Sequence, residues 1–109
     1  MKFNLTDMTI RHLNGTPLTK IIIKDTSGNP VSHTPQQLIA HYLYGVSVDE
    51  KIGDEVAQKI YDGNEFELDE KQIDSIKQHV NNAPQQVIPG FVKRSFNRYI
   101  DLTSKNQII

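Results

Sequence analysis

Three short segments carry the same helix-start chemistry, and their spacing commits most of the chain to helices. Thr34-Pro35-Gln36-Gln37 combines a hydroxyl acceptor, a proline at the first helical position and a glutamine three residues after the cap. In that arrangement the Thr oxygen accepts a backbone N–H of the first turn, and the Gln side chain reaches back to the cap's own N–H. Leu38, Ile39, Tyr42 and Leu43 follow at helical spacing, and Gly45 reads as the stop. Ser47-Val48-Asp49-Glu50 repeats the box with Val46 placed as a staple residue. Ile52, Val56 and Ile60 then recur every four residues, and Asp62-Gly63 ends the run. Asp69-Glu70-Lys71-Gln72 is the third box, followed by Ile73, Ile76 and Val80 and a stop at Asn81-Asn82.

The first third of the chain has strand chemistry instead. Met8 to Leu13 is a candidate strand, Asn14-Gly15 a hairpin turn tolerant of positive φ, and Leu18 to Lys24 the returning strand. Ile21, Ile22 and Ile23 place apolar groups on both faces, so either both faces are covered or one Ile is exposed. Ser27-Gly28-Asn29-Pro30 is a further turn. Between the second and third helices, Phe66 and Leu68 alternate with Glu65 and Glu67, as in a short strand with one apolar face. A last helix carries Phe91, Val92, Phe96, Tyr99 and Ile100 on its apolar side. Pro89 either kinks it or starts it, because its ring has no N–H and clashes with the carbonyl of Gln85. Pro35-Gln36-Gln37-Leu38-Ile39 is echoed by Pro84-Gln85-Gln86-Val87-Ile88, which reads as two proline-led helix starts. An isolated hairpin is marginal in water, so this one has to dock on the helices. With 109 residues, of which 37% are hydrophobic, there is room for one core. The expected architecture is therefore a single α+β domain over 1–109. It has an N-terminal β-hairpin region (1–33) packed on a bundle of about four helices with a short connecting strand (34–101), and a flexible tail (102–109) into which Ile108-Ile109 could tuck back.

Composition narrows the chemistry. With no Cys there is no disulfide, iron–sulfur cluster or thiolate zinc site. The histidines His12, His33, His41 and His79 include no i, i+4 pair and no HExxH. The stretch from Asp62 to Ile73 fails as a calcium loop: Glu67 stands where Gly is needed and Ile73 where the bidentate Glu belongs. Six isolated glycines form no phosphate-binding loop and no nucleophile elbow. No cofactor, metal or catalytic constellation is expected, and the reading is a non-enzyme. The N-terminal segment is interrupted by Asn4, Thr6 and Asp7, so neither a signal peptide nor a membrane span is expected, and a cytoplasmic location fits.

Charge layout is the most informative feature. The formal net charge is −1, yet between Asp49 and Asp74 ten acidic residues face three lysines. Elsewhere nine basic residues face three acidic ones. Part of this is helix-end complementarity, since several of these acids sit where the helix dipole favours them. Read as a recognition face, Asp49, Glu50, Asp54, Glu55, Asp62, Glu65, Glu67, Glu70 and Asp74 would attract and steer a basic protein surface. The same asymmetry would permit homo-oligomerisation, head to tail. The competing candidate is the last helix, where Lys93, Arg94, Arg98 and Lys105 are interleaved with Phe96, Asn97 and Tyr99 and could touch nucleic-acid phosphates. Four cations beside an acidic block make a poor footprint, and Phe96 and Tyr99 are better explained as core, so nucleic acid is not the expected partner.

The order Leu13-Asn14-Gly15, Ala57-Gln58-Lys59-Ile60-Tyr61, Phe66-Glu67-Leu68 and Ile73-Asp74-Ser75-Ile76-Lys77 resembles small accessory proteins of tailed bacteriophages and prophages, over residues 13–100. That resemblance implies a phage-derived protein in the bacterial cytoplasm that binds a host or phage protein, in virion assembly or as an inhibitor or adaptor of a host system. The expected function is protein binding through the acidic face. The alternatives are a small DNA-binding regulator using the last helix and a structural virion component.

Overall fold

A computed structural model describes residues 1–107. The chain runs β1 (Lys2–Phe3), a 3-10 turn (Leu5–Asp7), β2 (Ile21–Lys24), β3 (Pro30–His33) and α1 (Pro35–Val46). It continues through a π-helical segment (Lys51–Val56) that passes directly into α2 (Ala57–Asp62), then β4 (Phe66–Glu67), α3 (Glu70–Asn82) and α4 (Gly90–Gln107). Two small antiparallel sheets flank the helices, β1 with β4 and β2 with β3. The fold is α+β, with a hairpin in the N-terminal part and four α-helices among the described residues, as the patterning predicts.

The first and third capping boxes form as expected. Gln37 N–H donates to Thr34 Oγ1 at 3.1 Å, and Thr34 N–H to Gln37 Oε1 at 3.0 Å. Gln72 N–H donates to Asp69 Oδ1 at 2.8 Å, and Asp69 N–H to Gln72 Oε1 at 2.9 Å. The second start moves. Asp49, not Ser47, caps the turn: its Oδ1 accepts from Lys51 N–H at 2.9 Å and Ile52 N–H at 3.2 Å. Ser47 N–H closes α1 by donating to the Leu43 carbonyl at 3.0 Å, and its Oγ accepts from Asp49 N–H at 3.2 Å in the turn between the helices. Gly45 does not stop α1, because it has no left-handed φ and the helix continues to Val46. Gly53 explains the tight return: a Cβ there would lie 3.3 Å from the Ser47 carbonyl oxygen.

Gly63 ends α2 in the left-handed region, at φ 76°. Its N–H donates to the Ile60 carbonyl at 3.2 Å, and Asn64 N–H to the Lys59 carbonyl at 2.8 Å. A side chain at Gly63 would be strained by φ and would sit 3.2 Å from Thr6 Cγ2. Gly63→Ala is therefore expected to destabilise the domain by about 1–2 kcal/mol, read as a lower midpoint in urea. An unchanged midpoint would show that the turn relaxes freely.

The hairpin differs from expectation. Ile10 to Leu18 closes around Asn14-Gly15, but with a single bridge between Arg11 and Pro17. Pro17 fits there because the two bonds flanking the bridge come from its neighbours, His12 N–H to the Thr16 carbonyl and Leu18 N–H to the Ile10 carbonyl, both at 2.8 Å. The strand at Ile21–Lys24 pairs forward instead, with Ile21 opposite His33, Ile22 opposite Ser32, Ile23 opposite Val31 and Lys24 opposite Pro30. Asp25 builds the connecting turn by accepting from Ser27 N–H and Asn29 N–H, both at 2.9 Å. Ile22 is the exposed isoleucine, at 71%, while Ile21 and Ile23 are half-buried.

Pro89 starts α4, its carbonyl accepting from Val92 N–H and Lys93 N–H at 3.0 and 3.1 Å. The echo at Pro84 yields only one turn, because Pro89 follows it too closely for a helix to grow. Helix α4 also runs past the expected tail boundary, since 102–107 is helical. Gln107 fastens that end to β1: Lys2 N–H donates to Gln107 Oε1 at 2.7 Å, and Gln107 Nε2 to the Lys2 carbonyl at 2.6 Å. The expected tuck-back of Ile108-Ile109 lies outside the described residues.

A single cluster of side chains forms the core. Phe3, Leu5, Ile39, Leu43, Ile52, Val56, Ile60, Phe66, Leu68, Ile76, Val80, Ile88, Val92, Phe96 and Ile100 are all buried in it. Every buried side chain among the described residues is hydrophobic. Candidate binding groups are consequently on the surface.

Candidate protein-binding surface

All nine acidic candidates are exposed. Asp49 is occupied as a helix cap, and Glu70 lies in the first turn of α3, so both have a structural use. Glu55 pairs with Lys59 at 3.2 Å, one helical turn on. Asp62 Oδ2 accepts from Gln58 Nε2 at 3.0 Å. Glu67 stands opposite Lys2 across the β1–β4 register. Glu65 borders a shallow hollow with Lys2, Asp7 and Tyr99. Glu50, Asp54 and Asp74 form no ion pair among the described residues. The block is thus carried by the π segment and the two residues before it, the end of α2, β4 with the preceding Glu65, and the first half of α3.

The basic candidates on α4 separate into two kinds. Lys93 Nζ donates to the Ala83 carbonyl and so closes the C-terminal end of α3. Arg94, Arg98 and Lys105 are exposed. At four- and seven-residue intervals they share one helix face. Asp101 falls within that face and pairs with Lys77 at 2.6 Å. Phe96 is buried, and Tyr99 packs edge-on against Phe3 while its hydroxyl accepts from Asn4 N–H at 2.7 Å. Neither aromatic ring is free to stack on a base.

A second surface feature lies beside the acidic block. Helices α1 and α2 pack against each other, and a groove of about 280 Å³ opens between them. Its lining is Ala40, His41 and Tyr44 from α1 with Ala57, Gln58 and Tyr61 from α2. Two buried alanines at facing positions leave the space, and Tyr44 and Tyr61 border it at 71% and 46% exposure. The volume falls below the roughly 300–1,000 Å³ of typical cofactor and small-molecule pockets. His41 meets the edge of Tyr61, with centroids 5.5 Å apart, and its other neighbour is His33 at 5.8 Å. Beyond His33 a further hollow is lined by Ile23, Leu38, Gln86 and Val87. The His33–His41 pair has no third metal-ligating side chain among the described residues.

Sequence patterning did not single out Tyr44 or Tyr61 as binding candidates. The available signal was that both are large aromatic residues lying off the buried i, i+4 stripes of their helices. Their convergence depends on how α1 and α2 pack, which no local pattern states.

No helix among the described residues is long and apolar enough to cross a membrane. No family model, characterised protein or solved structure matches this chain.

Proposed function

We propose that this domain is a non-enzymatic protein-binding module, of the phage accessory type, that docks on a basic protein surface. The observation that carries the reading is the state of the acidic block. Its nine candidate carboxylates all face solvent, and among the described residues Glu55 alone of them is in an ion pair. Uncompensated charge of one sign, spread over neighbouring elements, raises the encounter rate with a surface of opposite sign. An exposed aromatic groove beside it supplies the apolar centre that protein interfaces place inside a polar rim.

Affinity capture from bacterial lysate at low and moderate salt, read by mass spectrometry, tests this. One dominant basic protein, released as salt rises, is the expected result. DNA retained instead, and lost when Arg94 and Arg98 are changed to Glu, would overturn it in favour of the regulator reading, with affinity falling steeply with salt. With Lys93 holding the Ala83 carbonyl and Asp101 within the basic face, α4 is the weaker candidate. Self-association alone, seen by light scattering, would point to a structural assembly role.

A further inference from the structure

The groove between α1 and α2 adds a specific chemistry to the reading above, on which this inference rests. We infer that it seats an arginine side chain presented by the basic partner. Four features of the groove favour that occupant over others. The exposed rings of Tyr44 and Tyr61 are the aromatic surfaces that attract a cation. Gln58, which lines the groove, donates its amide N–H to Asp62, so a carboxylate is held beside the lining and Gln58 Oε1 accepts no hydrogen bond among the described residues. Asp54, exposed in the π-helical segment that runs into α2, stands four residues before Gln58 and adds a further negative charge to that element. Among the described residues the lining includes His41 but no lysine or arginine, and the neighbouring Lys59 is held by Glu55.

Arginine fits better than lysine for a physical reason. Guanidinium is planar and weakly hydrated, so it stacks on tyrosine while still donating to side-chain oxygens at its edge. An ammonium is compact and strongly hydrated, and gains less from a ring face. The groove's small floor, Ala40 and Ala57, admits an alkyl stem alongside the rings.

The test is an NMR titration of the full chain with a short arginine-containing peptide, its lysine counterpart and its citrulline counterpart. Citrulline keeps the shape of arginine and removes the charge. The arginine peptide is expected to shift the ring resonances of Tyr44 and Tyr61 and the side-chain amide of Gln58. The lysine peptide should bind several-fold more weakly, and the citrulline peptide should leave the groove unshifted. Tyr61→Ala should weaken the arginine peptide about fivefold to thirtyfold. Tyr61→Leu keeps bulk against His41 and should lose affinity to a similar degree, so a folding defect is not mistaken for a lost contact. Equal binding of arginine and lysine peptides with no shift at the groove would overturn the inference while leaving the acidic-face reading intact. The converse is also distinguishable. Arginine binding that survives reversal of Asp54, Glu55, Glu65 and Glu67 but fails in Tyr61→Leu would keep the groove and remove the acidic face. Shifts confined to α4 with any of the peptides would also overturn the groove assignment.

Discussion

Phe66→Ala is expected to lower the unfolding free energy by about 3–5 kcal/mol, the range for truncating a buried aromatic residue. Phe66 is buried in β4 and stacks on Phe3 of β1, with ring centroids 5.8 Å apart. Phe3 in turn meets Tyr99 of α4 edge-on at 6.4 Å. Removing the Phe66 ring opens a cavity where the small sheet, the N-terminal strand and the last helix converge. Two-residue strands have too few ladder bonds to hold that junction alone, so the rings carry it. Domains of this size are stable by about 5–15 kcal/mol, so the loss takes about a fifth of the total or more. Urea denaturation followed by circular dichroism measures it. A loss below about 1.5 kcal/mol would mean that β1–β4 is peripheral to the core. A double-mutant cycle with Phe3→Ala should return a coupling of about 0.5–1.5 kcal/mol for the ring pair.

Reversal of Asp54, Glu55, Glu65 and Glu67 to lysine is the second large effect, and it falls on binding rather than on folding. Four reversals of two charge units each take the formal net charge from −1 to +7. Association with a basic partner at low salt should slow by about tenfold to a thousandfold, the span over which charge steering acts. The structural losses are small by comparison. The exposed Glu55–Lys59 pair is worth about 0.2–1 kcal/mol, and lysine at position 67 opposite Lys2 costs a similar amount. Stopped-flow association at two salt concentrations, with a urea melt of the same variant, separates the two. An unchanged rate and salt slope would remove the acidic face from the interface.

How much of this was legible depended on the range of the force involved. Capping boxes at Thr34 and Asp69, the glycine stop at Gly63 and the i, i+4 run of Ile52, Val56 and Ile60 are satisfied by groups a few residues away. Their outcome hardly depends on the rest of the molecule. Where two local signals competed, the sequence was ambiguous. Ser47 and Asp49 both have capping side chains; Ser47 Oγ accepts from Asp49 N–H in the turn after α1, and Asp49 Oδ1 caps the next helical run. Asn14-Gly15 and Ser27-Gly28 both turn the chain, and the first carries one bridge while the four-residue ladder forms across the second.

The sequence by itself determined the helix starts, the buried stripes, the apolar alternation around Phe66 and the concentration of acid between Asp49 and Asp74. Only the tertiary structure decided that Phe66 pairs with Phe3, that α4 runs to Gln107 against β1, and that Tyr44 and Tyr61 border one groove. The first set rests on hydrogen bonds and periodicities within a turn or two of one residue. The second rests on contacts between residues far apart in the chain, which form only when burial of a shared core brings them together.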